Sequence, residues 1–298
     1  MAQQLPATAT EQRIWHLCQR LEFFANHLPL ALQKLAASST NDNYYVHTQR
    51  GHYLVRHYKP GVAGVCRQQE LRCQHAAAAV GVAPAPLCLN NHQRILISDF
   101  LTHSRHFDWE LHHNHLLQLV EKLVRLHKLK VQTAVLDPFV YLQQLRDKVE
   151  QQSWSEQDEQ DWQRLREAAS RFSQLPVDQV LCHMDLHSGN ILLQNQQLWL
   201  IDYEYCQQAD SSFDLAALCL NLQLNPIEQE QLLSLYLQFR PEARQMLAQR
   251  LQLATLLYSG FCWLWYKSLE GGADKAKLAQ LTLRQLQIPV SDPAKALC

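Results

Sequence analysis

The chain has 298 residues, 47% of them hydrophobic, and a formal net charge of -1. That length buries a sizeable core as one large domain or two small ones, and the absence of a long Lys or Arg run excludes a nucleic-acid surface, which needs a basic stripe. Nine scattered Cys, never spaced C-x-x-C, point to reduced thiols in the cytoplasm rather than a disulfide framework or zinc knuckle.

In chain order, residues 11–36 carry apolar residues at helical spacing (Ile14, Leu17, Leu21, Phe24) and predict a helix. The polar stretch 38–43 interrupts it. Strands are expected at 44–48 and 52–58, joined across Gln49-Arg50-Gly51. A helix follows at 65–80, stopped by Gly81 and prolines 84 and 86. Two more strands are expected near 86–90 and 94–98. Beyond Asp99 long helices dominate, at about 107–129, 136–150, 156–173, 212–223, 227–238, 242–268 and 274–287, interrupted by one β-rich island, 180–202. No signal peptide is expected, because no basic patch precedes an apolar run at the N-terminus. The most apolar stretch, 253–266, contains Ser259 and Gly260 and is too short to span a bilayer. The expected class is α+β, with a small mixed N-terminal lobe, 1–98, and a larger mainly helical lobe, 99–298.

The strongest chemical signal is His183-Met184-Asp185-Leu186-His187-Ser188-Gly189-Asn190. Two short apolar strands follow around the turn Asn195-Gln196-Gln197 and end in Asp202-Tyr203-Glu204. An H-x-D-x-x-x-x-N loop, a hairpin and a closing acid form the catalytic arrangement of protein kinases. Phosphoryl transfer needs an acceptor hydroxyl placed in line and phosphate charge neutralised. Asp185 can accept the hydroxyl proton, and Asn190 and Asp202 offer hard oxygens for Mg²⁺. A rival reading makes His183, Asp185 and His187 the ligands of a transition metal in a hydrolase. The plainest reading is a set of ordinary turn residues.

Residues 181–217 resemble the aminoglycoside phosphotransferase and choline kinase superfamily, which has the protein-kinase-like two-lobe fold. Bacterial thiamine kinases and choline/ethanolamine kinases are the most similar in texture. HMDLHSGN is similar to the family's catalytic loop, in which His183 and Asp185 fall at catalytic positions. IDYEY is similar to its metal-binding strand end, and Phe213-Asp214-Leu215-Ala216 to a downstream motif whose Asp braces the loop. The resemblance implies ATP and Mg²⁺ as cofactors and a small-molecule alcohol as acceptor; no nucleic acid, membrane or obligate protein partner is expected. It places the nucleotide loop at 39–44, with Thr40, Asn41 and Asn43, although 39–45 lacks the glycines of protein kinases. Arg56 takes the place of the phosphate-binding basic residue, a planar guanidinium that can fork to phosphate oxygens. Glu70 is its expected carboxylate partner. Asp99 and Leu101 fall at the adenine-binding connector, where backbone does the recognition.

Weaker features concern the acceptor. Trp263 and Tyr266 are three apart and share a helical face. The resemblance puts such aromatics in a cage for a cationic nitrogen, whose attraction to a ring suits choline-like or thiamine-like alcohols. The bland alternative is a core helix. Glu204 and Tyr205 would line the same pocket. His127, in Arg125-Leu126-His127, reads as a buried structural histidine, and His112, His113 and His115 as a solvated face. A kinase for aminoglycosides or other small alcohols, and a non-catalytic kinase-fold binding protein, are the alternatives.

Overall fold

The structure, a computed structural model, describes residues 8–35, 41–59 and 65–286. Its first half contains α1 (Ala9–Arg20), β1 (Pro29–Lys34), β2 (Asn41–Thr48), β3 (Gly51–Tyr58), α2 (Arg67–Ala79), β4 (Pro86–Asn90), β5 (Ile95–Asp99), β6 (Arg105–His106), α3 (Trp109–His112), α4 (Leu116–His127) and α5 (Pro138–Arg146). Then come α6 (Glu156–Phe172), β7 (Gln179–Cys182), β8 (Ile191–Gln194), β9 (Gln197–Leu200), β10 (Gln207–Asp210), α7 (Ser212–Asn221), α8 (Pro226–Phe239), α9 (Leu247–Lys267) and α10 (Ala273–Gln285). The chain divides into two units. The first is Met1–Asp108 with Gly189–Tyr205; the second is Trp109–Ser188 with Cys206–Cys298. This differs from a boundary at 98/99. The backbone N–H of Phe107 donates to Ile191 O at 2.9 Å, and β6 pairs with β8. Pairing therefore keeps 99–108 in the first unit and returns the 189–205 hairpin to it.

The first unit holds a five-stranded antiparallel sheet in the order β1-β2-β3-β5-β4. Its inward positions, Tyr44, Val46, Val55, Ile95 and Ile97, pack with Ile14, Cys18 and Phe24 into one core. The expected helix over 11–36 is shorter. It starts at a capping box made by Thr8 and Glu11 and gives way at Leu21, whose backbone is extended. Pro29 then opens β1, an edge strand, where a missing N–H is tolerated. Asn41 and Asn43, expected in a loop, lie in β2 paired with Tyr58 and Arg56. Gly81, at φ 70°, ends α2 in the left-handed turn expected of it.

The second unit is built around α9, which packs against α5, α6, α7 and α10. That explains a sequence apolar on nearly every side: Leu253, Ala254, Leu256, Leu257, Gly260, Phe261, Trp263 and Leu264 are all buried. The helix begins at Leu247 rather than 242, because Pro241 starts a separate 3₁₀ turn and Met246 sits at φ 52°. The expected helix 107–129 is broken by a 3₁₀ turn at His113–His115. The pairing of β10 with β7 was not foreseen. Among the described residues no helix is long and apolar enough to cross a membrane.

Candidate active site

In the second unit β7 delivers the chain into the 183–188 loop. His183 is fully buried, Met184 stands at φ 68°, and Asp185 keeps its side chain 30% exposed. A Met in the left-handed region is strained and needs an anchor. The anchor is Asp214, fully buried in the first turn of α7. It accepts the N–H of His183 at 2.7 Å and that of Met184 at 2.8 Å. Two successive N–H groups turned on one carboxylate form an anion nest, which requires this backbone turn. From the last residue of the same helix Asn221 Nδ2 donates to Leu186 O at 2.8 Å. Asp185 is thus held from both sides by α7. The Asp214 Oδ2 also meets His127 Nε2 at 3.1 Å, and His127 Nδ1 meets the Tyr236 hydroxyl at 2.7 Å.

Three tyrosines and a cysteine lie within electrostatic reach of the Asp185 carboxylate. Its charge adds to the burial that raises the ionisation of Tyr141, Tyr258, Tyr266 and Cys262, with Tyr141 and Cys262 both pushed up to about 12. All four therefore stay protonated at neutral pH. The Tyr258 hydroxyl receives Asn221 Nδ2 at 3.2 Å, which ties this aromatic wall to the loop brace.

The first unit carries a separate charge cluster. Arg56, on β3, donates through Nη1 to Glu70 Oε1 at 2.6 Å and to Asp202 Oδ1 at 3.0 Å. Arg67, at the start of α2, reaches Glu70 at 2.9 Å, Glu204 at 3.2 Å and Asn41 Oδ1 at 3.3 Å, with its guanidinium 3.7 Å above the Tyr58 ring. Three carboxylates thus share two arginines. Glu204 is driven towards its protonated form by burial first, then by Asp202 and Glu70. Asp202 sits at φ 69°, at the end of the 191–200 hairpin; the N–H of Ile201 before it donates to Asn190 O at 3.0 Å. The oxygens of Asn190 and Asp202 are the hard donors that Mg²⁺ takes. Arg56 Nε is buried with no acceptor among the described residues, a donor that a phosphate oxygen would satisfy. The donor set therefore fits a metal and a phosphate.

The structure brings Glu70, Asn41, Asp202 and Glu204 together around Arg56 and Arg67. Glu204 is engaged by Arg67 in this cluster. Asn43 lies beside Arg56 across the β2–β3 ladder, and Thr40 lies outside the described residues. At the connector the N–H of Asp99 donates to Ala85 O at 2.9 Å, and Leu101 O accepts the Ser104 hydroxyl at 2.8 Å. Tyr205 is half-buried. Trp263 and Tyr266 differ in surroundings. Trp263 is fully buried and stacks on Trp154 at 5.5 Å, whereas Tyr266 keeps part of its surface. Of the pair, Tyr266 alone has surface to offer a ligand. His183, Asp185 and His187 do not form one group of metal ligands: His187 Nε2 lies 3.7 Å from Asp185 Oδ2, but His183 is fully buried and the three are not grouped among the described residues. Among the described residues the one group of potential metal ligands is His127, Cys182 and Asp214. Both nitrogens of that histidine and both oxygens of that aspartate are already hydrogen-bonded. His112 is buried rather than solvated.

Arg67, Asn221, Tyr141 and Tyr258 were not foreseen. Arg67 had a local signal, being three residues before Glu70 and so on its helical face. Tyr258, Cys262 and Tyr266 recur every fourth residue along α9. Tyr141 comes from another helix and had no local signal.

A sheet-bearing unit with a paired arginine and glutamate, and a helical unit whose acidic loop hangs from the following helix, define the protein-kinase-like class of phosphotransferases. Residues 31–252 match the model of the phosphotransferase enzyme family, and the chain belongs to that family. The structure is similar to choline kinase LicA from Streptococcus pneumoniae, with TM-score 0.80 and 20% identity over 93% of this chain and 100% of that one. It is similar to a choline/ethanolamine kinase family protein from Mesorhizobium loti, with TM-score 0.77 and 16% identity over 95% of each chain. Aminoglycoside phosphotransferase APH(4)-Ia matches with TM-score 0.68 and 15% identity, over 94% of this chain and 98% of that one. No curated protein matches the sequence.

Proposed function

We propose that the enzyme transfers the γ-phosphoryl group of ATP to the hydroxyl of a small cationic alcohol, choline/ethanolamine-like or thiamine-like. The acceptor oxygen attacks the γ-phosphorus, the bond to the β–γ bridging oxygen breaks, and ADP leaves. Asp185 accepts the hydroxyl proton. Asn190 and Asp202 would hold Mg²⁺, which neutralises phosphate charge when bound. Arg56 would fork to phosphate oxygens, with Glu70 fixing its direction. Thr40, Asn41 and Asn43 would approach the phosphates, and the backbone at Asp99–Leu101 the base.

One observation carries the reading of the acceptor. The charge of Asp185 acts on three phenols that stay neutral at working pH, of which Tyr141 and Tyr266 keep part of their surface and Tyr258 is buried. A carboxylate beside aromatic faces favours a cation, by about 0.5–2 kcal/mol per ring engaged. The names of similar structures, a choline kinase and a choline/ethanolamine kinase family protein, support the same class. The test is Mg²⁺-dependent ADP release with choline, ethanolamine, thiamine, an aminoglycoside and neutral sugars. The highest kcat/KM is expected on a small monocation. A neutral sugar that outperforms every cation overturns the cationic reading, and an aminoglycoside that does so replaces it with an antibiotic kinase.

A further inference from the structure

A buried hydrogen-bond chain leads to the Asp185 loop from a residue outside the motif. Arg240 Nη1 lies 2.8 Å from the Tyr236 hydroxyl, which lies 2.7 Å from His127 Nδ1. His127 Nε2 lies 3.1 Å from Asp214 Oδ2, the oxygen that takes the N–H of His183. Each end of the chain has only one possible role. A guanidinium can only donate, so the Tyr236 oxygen accepts there, and its own proton is directed to His127 Nδ1. A carboxylate can only accept, so Nε2 must carry the imidazole proton. Tyr236 and His127 are almost fully buried. Burial holds the phenol far above its ordinary ionisation, so it remains a donor. Arg240 is itself fixed by Asp178 at 2.8 Å and Glu242 at 3.0 Å.

We propose that Tyr236 and Arg240 are positioning residues for phosphoryl transfer: they fix the His127 ring with its Nε2–H on Asp214, which orients Asp214 to hold the His183–Met184 backbone and so sets Asp185. The proposal rests on the reading of residues 183–190 as the catalytic loop. Without the Tyr236 hydroxyl, His127 Nδ1 loses its partner, and with it the bond that fixes the rotation of the ring. The Nε2–H is then no longer held in line with Asp214 Oδ2. Asp214 turns away, and the left-handed Met184 loses its anchor.

The test has two arms. Long-range ¹H–¹⁵N NMR of the intact wild-type protein should show His127 with a bare Nδ1 and a protonated Nε2. A proton on Nδ1 overturns the proposal, and this arm needs no variant to fold. Tyr236→Phe, which keeps the ring, should then move the His127 Nε2–H proton resonance upfield as its bond to Asp214 lengthens. Its kcat, with ATP and the best of choline, ethanolamine and thiamine, should fall roughly 10- to 100-fold, as expected for a displaced catalytic group. Both KM values should stay within about two-fold, because neither substrate touches the relay. An unchanged Nε2–H resonance, an unchanged kcat, or KM values that rise as kcat falls would each refute the relay. A wild-type protein that transfers no phosphoryl group overturns the catalytic reading instead, whatever its tautomer.

Discussion

Trp263→Leu should cost the helical unit stability and leave acceptor binding alone. Trp263 is fully buried in α9, and its ring stacks on Trp154 with centroids 5.5 Å apart and planes 28° from parallel. The Arg146 guanidinium covers Trp154, 3.6 Å from its ring. Truncating a buried Trp to Ala costs about 3–5 kcal/mol; Leu restores part of the volume, leaving about 2–3. The lost aromatic stack adds about 0.5–1.5 kcal/mol. A total near 3 kcal/mol converts to a fall in Tm of about 6–12 °C, at roughly 2–4 °C per kcal/mol for a unit of this size. Tyr266→Leu is the contrast. Its ring is partly exposed and belongs to the wall around Asp185, so stability should change by less than about 1 kcal/mol. Its acceptor KM should rise several-fold, on the scale of one lost cation–π contact. Thermal unfolding by circular dichroism and acceptor titrations measure both. A Trp263→Leu protein with a raised acceptor KM and a Tm within about 2 °C of wild type would refute this reasoning and put Trp263 back in the cage.

Asp202→Ala should weaken Mg²⁺-dependent ATP binding as well as turnover, since it removes an oxygen proposed to hold the metal; a Mg²⁺ titration that matches wild type would make Asp202 structural only. Asp214→Asn can keep only one oxygen for three N–H donors and sets its own NH₂ against the rest. Bonds to a charged group contribute about 1.5–3 kcal/mol each, so urea unfolding should show a loss of about 3 kcal/mol or more, and a loss under about 1 would contradict the nest. His57 is held below its ordinary 6.5 by burial first, then by Arg94 and Arg13. The folded state therefore binds fewer protons than the unfolded one, and stability present above pH 6.5 is lost as pH falls below it. His57→Gln should flatten that slope; an unaltered slope assigns the acid sensitivity elsewhere.

Much of this site could be read from the sequence because its residues sit in short local patterns. The 183–190 loop, the 191–200 hairpin and Asp202 lie in one run of chain, so spacing carried them, while Asp214, a little further on, came from the resemblance. Arg56 and Glu70 required the resemblance to pair them, and the 2.6 Å contact bears that pairing out. What escaped was long-range. Tyr141 joins Tyr258 from a different helix, and Tyr236 reaches His127 across 109 residues of sequence. Periodicity reports which face of a helix is apolar, not which helix it meets, so Trp263 and Tyr266 looked alike although one is core and the other partly open. Helix breaks were missed where 3₁₀ turns carry apolar residues at near-helical spacing, as at Glu22–Phe24.

The central claim is that Asp185 is the base of a kinase reaction. The most direct measurement compares Asp185→Asn with wild type in Mg²⁺-dependent ADP release on the best acceptor, alongside ATP binding by calorimetry. Asn keeps the size and the loop but cannot take the hydroxyl proton. Turnover should fall by about 10²–10⁴-fold, with the Kd for ATP nearly unchanged. Turnover like that of wild type would contradict the account.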